Sequence, residues 1–219
     1  MGDRQRLRSE ETKQDILAAA EKLFGKRGFD AVSMREIAKQ AGCSHTTIYL
    51  YFENKEALLH QLSMPPLKGL KQKMEDTLKQ TNLPREERLK SISRQFIYFC
   101  LSNRTMYTIF FYTKSSRVDE ENPELEVNNI RIQLFELLKQ GLKDCLQMGE
   151  NNPSLLTFSR IYFFTLHGIV GTYHNSEESA EALITRLETT FDDAVEVLLY
   201  GFKHKMEQGA GTDENRTNI

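Results

Sequence analysis

The sequence predicts an all-α chain, with an N-terminal head of three short helices followed by a C-terminal helical bundle, about nine to ten helices in total. Three observations lead there. Apolar residues recur at i, i+3 and i+4 along most of the chain, and alternating runs bounded by turn signals are scarce. Gly and Pro number only 12 and 5 in 219 residues, so few segments are punctuated as turns. Hydrophobic residues at 39% and charged residues at 27% are ordinary for a soluble globular protein, which leaves enough apolar side chain for a core.

Taken in order, Ile16, Leu17, Ala20, Leu23 and Phe24 recur at helical spacing between Glu11 and Lys26, and Gly28 ends this helix where a positive φ costs nothing. Ser33-Met34-Arg35-Glu36 is a capping box, in which hydroxyl and carboxylate satisfy reciprocal backbone donors. It opens a short second helix, Met34 to Gln40 or Ala41, stopped by Gly42. Ser44 caps a third, about Thr46 to Phe52, with Ile48 and Phe52 on one face. Asn54 caps a fourth, where Leu58, Leu59 and Leu62 form the apolar stripe. Pro65-Pro66 predicts a break, because proline lacks the amide donor and disfavours helical geometry in its predecessor; the fourth helix should end near Ser63 or Met64.

Six further helices are expected: Leu67–Thr81, Arg85 or Glu86 to Ser102, Thr105–Ser115, Glu124–Met148, Ser154 to about Tyr173, and about Glu177 to Met206. A polar loop falls at Ser116–Pro123 and a turn at Gly149–Pro153. The domain division that follows is a head over 1–62, a helical body over 63–206, and a Gly/Asn/Thr-rich tail over 207–219 expected to be disordered.

Net charge says little about partners. The chain carries −2 overall; residues 1–62 hold ten Lys/Arg against nine Asp/Glu, and the remainder nineteen against twenty-two. Any affinity for nucleic acid must rest on where residues sit. Arg4, Arg6 and Arg8, against Asp3 alone, form a short basic arm suited to a phosphate or a minor groove, or a solvated tail. Cys43, Cys100 and Cys145 are far apart and outside any CxxC spacing, which excludes a disulfide framework and a zinc finger and suits a reducing cytoplasm. No apolar run is long enough to span a bilayer, and no signal segment opens the chain, so a soluble cytoplasmic protein without a membrane partner is expected.

Two short helices joined by a turn at Gly42, with the small residues Ala38 and Ala41 at their crossing, fit a helix-turn-helix, whose second helix enters the major groove. The third helix adds Ser44-His45-Thr46-Thr47-Ile48-Tyr49-Leu50-Tyr51-Phe52, followed by Glu53-Asn54-Lys55 and an apolar helix. With Gly28-Phe29, Ser33–Ala38 and Ala41-Gly42 upstream, residues 10–62 resemble the tetracycline-repressor (TetR) family nearly position by position. Beyond residue 62 the resemblance is architectural only. It implies a DNA-binding head and a body that binds a ligand and dimerises through its last two helices.

By that resemblance, Ser33, Arg35, Ser44, His45, Thr46, Thr47, Tyr49, Tyr51 and Lys55 are the DNA-contact candidates. His45, Thr46 and Tyr49 are expected at base edges or the adjacent backbone, and Thr47 at phosphate. Ser33 and Arg35 should grip flanking phosphates, and Lys55 should share one with the free amides opening its helix. The helix departs from the family pattern, which often has Lys and Gly at the positions of His45 and Thr46; from Cys43 to Phe52 it carries no fixed charge.

Phe96–Tyr112 holds seven aromatics in seventeen residues. Their density suggests a pocket for a hydrophobic small molecule, with Phe96, Phe99, Tyr107, Phe110, Phe111, Phe158 and Tyr162 as lining candidates, beside their ordinary use as bundle core. Leu155, Phe158, Ile161, Tyr162, Thr165, Ile169 and Thr172 trace one stripe, and Leu183, Leu187, Phe191, Val195, Leu198, Leu199 and Phe202 another. These stripes, with Gly168 and Gly171 allowing close approach, are the expected dimer pair. Cys43 reads as a small turn residue rather than a redox sensor. His167 and His174, seven apart, lack a third ligand for a metal. No catalytic constellation, metal or cofactor is indicated. The expected function is a repressor that occupies a near-palindromic operator as a homodimer and leaves it on binding a hydrophobic ligand. An activator, a corepressor-dependent regulator and a helical protein-interaction module remain as alternatives.

Overall fold

In the computed structural model, residues 2–104, 107 and 126–214 are described. They contain eight α-helices: α1 Gly2–Arg27, α2 Met34–Gln40, α3 His45–Tyr51, α4 Lys55–Leu78, α5 Arg85–Ser102, α6 Glu126–Leu146, α7 Ser154–Tyr173 and α8 Ala180–Glu214. The expected helix over Thr105–Ser115 and the loop Ser116–Pro123 lie outside the described residues, Tyr107 excepted. The chain forms two compact units, one reaching to Lys68 and one that includes Gly69–Arg104 and the described residues from Glu126 onward.

The first unit closes on the stripes read from the sequence. Ile16, Ala20 and Phe24 of α1, Ile37 and Ala38 of α2, Ile48 of α3, Phe52, and Leu58 and Leu59 of α4 are buried together, with Val32 from the α1–α2 connection. Each large apolar side chain so buried contributes about 1.5–3 kcal/mol. Both turn glycines are needed for their conformation: Gly28 has φ +79° and Gly42 φ +71°. At Gly42 the cap is complete, with Cys43 N donating to Ala38 O at 3.0 Å and Gly42 N to Lys39 O at 3.3 Å. This paired arrangement ends α2 in one residue and launches α3 at a fixed angle.

Three boundaries differ from expectation. The first helix starts at Gly2 rather than Glu11, so Arg6 and Arg8 lie on a helix and not on an extended arm. Pro65 and Pro66 lie inside α4, which runs unbroken from Lys55 to Leu78 and merges two expected helices. Two helical hydrogen bonds are lost there, yet Met64, Leu67, Leu70 and Met74 are all buried, so the apolar stripe continues through the prolines. The last helix continues to Glu214, past the expected end at Met206 and through part of the segment expected to be disordered. Extending an existing helix fixes one residue per hydrogen bond gained and needs no new nucleus.

In the second unit, Leu89, Ile92, Phe96 and Cys100 of α5 are buried, as are Leu134, Phe135, Leu138 and Leu142 of α6. Leu155, Phe158, Tyr162, Leu166 and Val170 of α7, and Leu183, Phe191, Val195, Leu199 and Phe202 of α8, complete this interior. A Cβ on Gly141 of α6 would meet Ile92 Cδ1 at 3.0 Å and Leu89 Cδ1 at 3.1 Å, which marks the close approach of α5 and α6. On its outer side α5 is tied to α8 by ion pairs from Arg94 to Asp192 at 2.7 Å and from Lys90 to Glu196.

Most of the stripe expected to join two subunits is therefore interior: Leu155, Phe158, Tyr162, Leu183, Phe191, Val195, Leu199 and Phe202 are all buried within their own unit. The large apolar side chains left exposed are Ile161 of that stripe and, outside it, Leu156 and Phe164 on α7 and Val197 and Tyr200 on α8. Gly168 and Gly171 lie exposed on α7, with nothing within 4 Å of a Cβ built on either. A seven-residue spacing alone does not say which of two apolar faces a helix turns inward.

Candidate nucleic-acid interface

The head presents α3 on a frame whose polar groups are satisfied locally. Ser33 accepts from Glu36 N at 3.3 Å and donates its hydroxyl to Glu36 Oε2 at 2.8 Å, while Ser33 N donates to the same carboxylate at 2.9 Å. Arg27 donates to Glu36 Oε1 at 2.7 Å and to Ala31 O at 2.6 Å. Arg27 and Ser33 together hold the Glu36 carboxyl at about 2, well below the usual carboxylate range. Ser44 accepts from Thr47 N at 3.0 Å, and the Ser44 and Thr47 hydroxyls are hydrogen-bonded at 2.7 Å. The hydroxyls of Ser33, Ser44 and Thr47 are thus engaged in starting α2 and α3.

Lys55 is turned inward. Its ammonium donates to Phe29 O at 2.7 Å and Val32 O at 2.9 Å, and sits 4.1 Å from the centroid of the Phe29 ring. Two of its three donors are committed to the α1–α2 connection, and the cation–ring contact adds to that hold. At the start of α4, Asn54 Oδ1 accepts from Ala57 N at 2.7 Å.

What α3 leaves outward is narrower than the candidate set. His45, Thr46, Tyr49 and Leu50 are exposed, Leu50 to 79%, while Ile48 is fully buried. His45 and Tyr49, one turn apart, meet edge to face with ring centroids 5.1 Å apart. Arg35 is exposed on α2, and a groove of about 420 Å³ brings it beside Lys39, Cys43 and His45. Lys39 falls in no motif and was not singled out from the sequence; its place two residues before the α2 cap was the available signal. Cys43 is half-buried, and burial raises its thiol pKa, the opposite of what a reactive thiolate requires. Tyr51 is half-buried at the end of α3, its hydroxyl 3.2 Å from Ser9 Oγ of α1.

The aromatic candidates are spread more widely. Phe96 and Tyr162 are buried in the second unit, Tyr162 hydrogen-bonded to Ser93, and Phe158 stacks on Phe202 at 4.4 Å. Phe99 is half-buried, and Tyr107 is buried. Phe110 and Phe111 lie outside the described residues. Phe135 and Phe163, absent from the candidates, meet edge to face at 5.5 Å; Phe163 also packs 4.3 Å from the ring of His167. Burial, reinforced by the positive charge of Arg131, depresses His167 to about 4. Among the described residues no three His, Cys, Asp or Glu side chains gather as a metal site, and no helix is long and apolar enough to cross a membrane.

Residues 16–62 match the family described as bacterial regulatory proteins, tetR family. An uncharacterized HTH-type transcriptional regulator of Mycobacterium tuberculosis is 51% identical over 51 residues, 23% of this chain; the chain spans about a quarter, 25%, of that relative. A fatty acid metabolism regulator protein of Bacillus subtilis is 24% identical over 192 residues, covering 87% of this chain and 95% of its own. The crystal structure of the regulator FadR of Bacillus subtilis in complex with stearoyl-CoA shares the fold at a TM-score of 0.62 and 22% identity, over 86% of this chain and 98% of that one. With the helix-turn-helix built as described, it is the head of the chain, residues 16–62, that matches the TetR family of bacterial regulatory proteins.

Proposed function

We propose that this protein is a transcriptional regulator that binds a near-palindromic DNA site as a homodimer and leaves it on binding a long-chain fatty acyl thioester. The observation that carries the DNA-binding reading is the outward face of α3, where His45, Thr46, Tyr49 and Leu50 are exposed on a frame whose own polar groups are satisfied. Thr46, His45 and Tyr49 would meet base edges, and Arg35 with Lys39 the flanking phosphates. The remaining contact candidates, Ser33, Ser44, Thr47 and Lys55, would serve by holding that face in place, with backbone amides at the helix starts left for phosphate.

The dimer would form on the exposed apolar residues of α7 and α8, Ile161, Phe164 and Val197 among them, with Gly168 and Gly171 allowing close helix approach. Two heads so joined must stand about 34–36 Å apart to reach successive major grooves. The effector class is supported by the relative named for fatty acid metabolism and by the stearoyl-CoA complex of the structural neighbour. The aromatic interior of the second unit, with Phe96, Phe135, Phe158, Tyr162 and Phe163, suits an apolar chain.

The test begins with selection of a duplex from a randomised DNA library, followed by anisotropy titrations with stearoyl-CoA or with coenzyme A alone. Stearoyl-CoA is expected to weaken binding by about 5–150-fold, the usual range of coupling between sites, and coenzyme A to leave it unchanged. Equal affinity under all conditions excludes this effector, and tighter binding with stearoyl-CoA makes the protein corepressor-dependent.

A further inference from the structure

The N-terminal turns of α1 are not accounted for by the helix-turn-helix. α1 extends from Gly2, well before its first buried residue, Ile16, so its opening turns are not held by the head's core. They are held instead at the end of α3, where Ser9 Oγ lies 3.2 Å from the Tyr51 hydroxyl. Between the two helices is an open groove of about 630 Å³ lined by Gln5, Arg6, Arg8, Ser9, Thr12 and Tyr51. Arg6 and Arg8 are exposed, and neither forms an ion pair among the described residues. The nearby carboxylate of Glu10 accepts from Gln14, and the hydroxyl of Thr12 donates to Arg8 O.

This arrangement decides between the two uses that basic residues ahead of a helix-turn-helix can have. An extended arm threads a minor groove. An α-helix is about 10–12 Å across with its side chains, whereas the minor groove of B-DNA is about 6 Å wide, so α1 cannot enter it. Arginines on a helix lying beside α3 are placed to reach the backbone on the rim of the groove that α3 enters. The recognition helix itself supplies no fixed charge from Cys43 to Phe52, and Lys55 is turned inward, so cationic contacts must come from elsewhere in the head.

We infer that Arg6 and Arg8, held beside Tyr51 by the Ser9 contact, form a second phosphate-binding surface that grips the DNA backbone next to the α3 site. The inference rests on the DNA-binding reading proposed above. Phosphate contacts of this kind set affinity and its salt dependence and leave base preference alone.

The experiment compares wild type with Arg6→Gln/Arg8→Gln. Each is titrated against the duplex selected by wild type and against a mixed-sequence duplex, over a range of salt concentrations. Loss of two contacts per head should flatten the slope of log K against log salt by about 1.8 per head, about 3.6 for the dimer at about 0.9 per phosphate, on both duplexes. Selection with the double variant should return the wild-type consensus. Thermal unfolding should not change, because both side chains are exposed. An unchanged salt slope overturns the inference while leaving the DNA-binding reading intact. A changed consensus also overturns it, since the arginines would then be reading bases. Failure of wild type to retain any duplex at low salt overturns the DNA-binding reading itself, and this inference with it.

Discussion

Because the Lys55 ammonium donates to carbonyls in the α1–α2 connection, removing it should loosen the head without discharging a DNA contact. Lys55→Ala is expected to lower stability by about 1.5–3 kcal/mol, the range for hydrogen bonds to a charged group, read by thermal or urea unfolding. Its salt slope for DNA should match wild type once the protein is folded. A slope flattened by about 0.9 per head would instead return Lys55 to the phosphate contacts. The capping role of Ser33 was legible in the sequence because donor and acceptor lie three residues apart. The role of Lys55 was not, since its carbonyl partners are 26 and 23 residues away and any residue type supplies a carbonyl.

At the scale of the element, helix ends were legible where one residue type is required and obscure where burial competes with a local rule. Gly42 announces the α2–α3 turn. The end of α6 uses the same cap without a glycine: Gln147 has φ +51°, and Met148 N donates to Lys143 O at 3.1 Å. A left-handed residue with a Cβ costs about 1–2 kcal/mol, part of which glycine gives back through its greater freedom in the unfolded chain. Gln147→Gly should therefore raise stability by about 0.5–1 kcal/mol, measured by urea unfolding; a destabilised variant would mean that the Gln147 side chain itself holds the turn. Pro65-Pro66 shows the converse. The local rule against proline in a helix predicts a break that does not occur: buried residues on both sides, Leu58, Leu59 and Met64 before and Leu67, Leu70 and Met74 after, continue one stripe that outweighs two lost hydrogen bonds.

For the whole molecule, the class and the head were readable because their signals are periodic and contiguous. The assignment of faces in the body was not, because α7 carries apolar residues on two sides and only packing distinguishes them. That distinction gives a direct test of assembly. Phe164 is 63% exposed on a face with Ile161 and Gly168, so Phe164→Asp should leave the monomer folded while weakening the proposed dimer. A central aromatic of an interface is commonly worth about 2 kcal/mol or more, roughly thirty-fold in the dimer dissociation constant. Sedimentation equilibrium of both proteins reads this. An unchanged association constant would move the interface away from α7.

The division of labour inside the head has a consequence for how such a regulator can diversify. Ser33, Glu36, Ser44, Thr47 and Lys55 are occupied with one another or with backbone groups, whereas the side chains of His45, Thr46 and Leu50 make no hydrogen bond or ion pair among the described residues. Changes at those outward positions meet almost no folding penalty, and changes at the inward ones meet a large one. If α3 reads DNA as proposed, a duplicated copy of this chain can therefore acquire a new target sequence by a few neutral steps on α3, with its scaffold intact throughout.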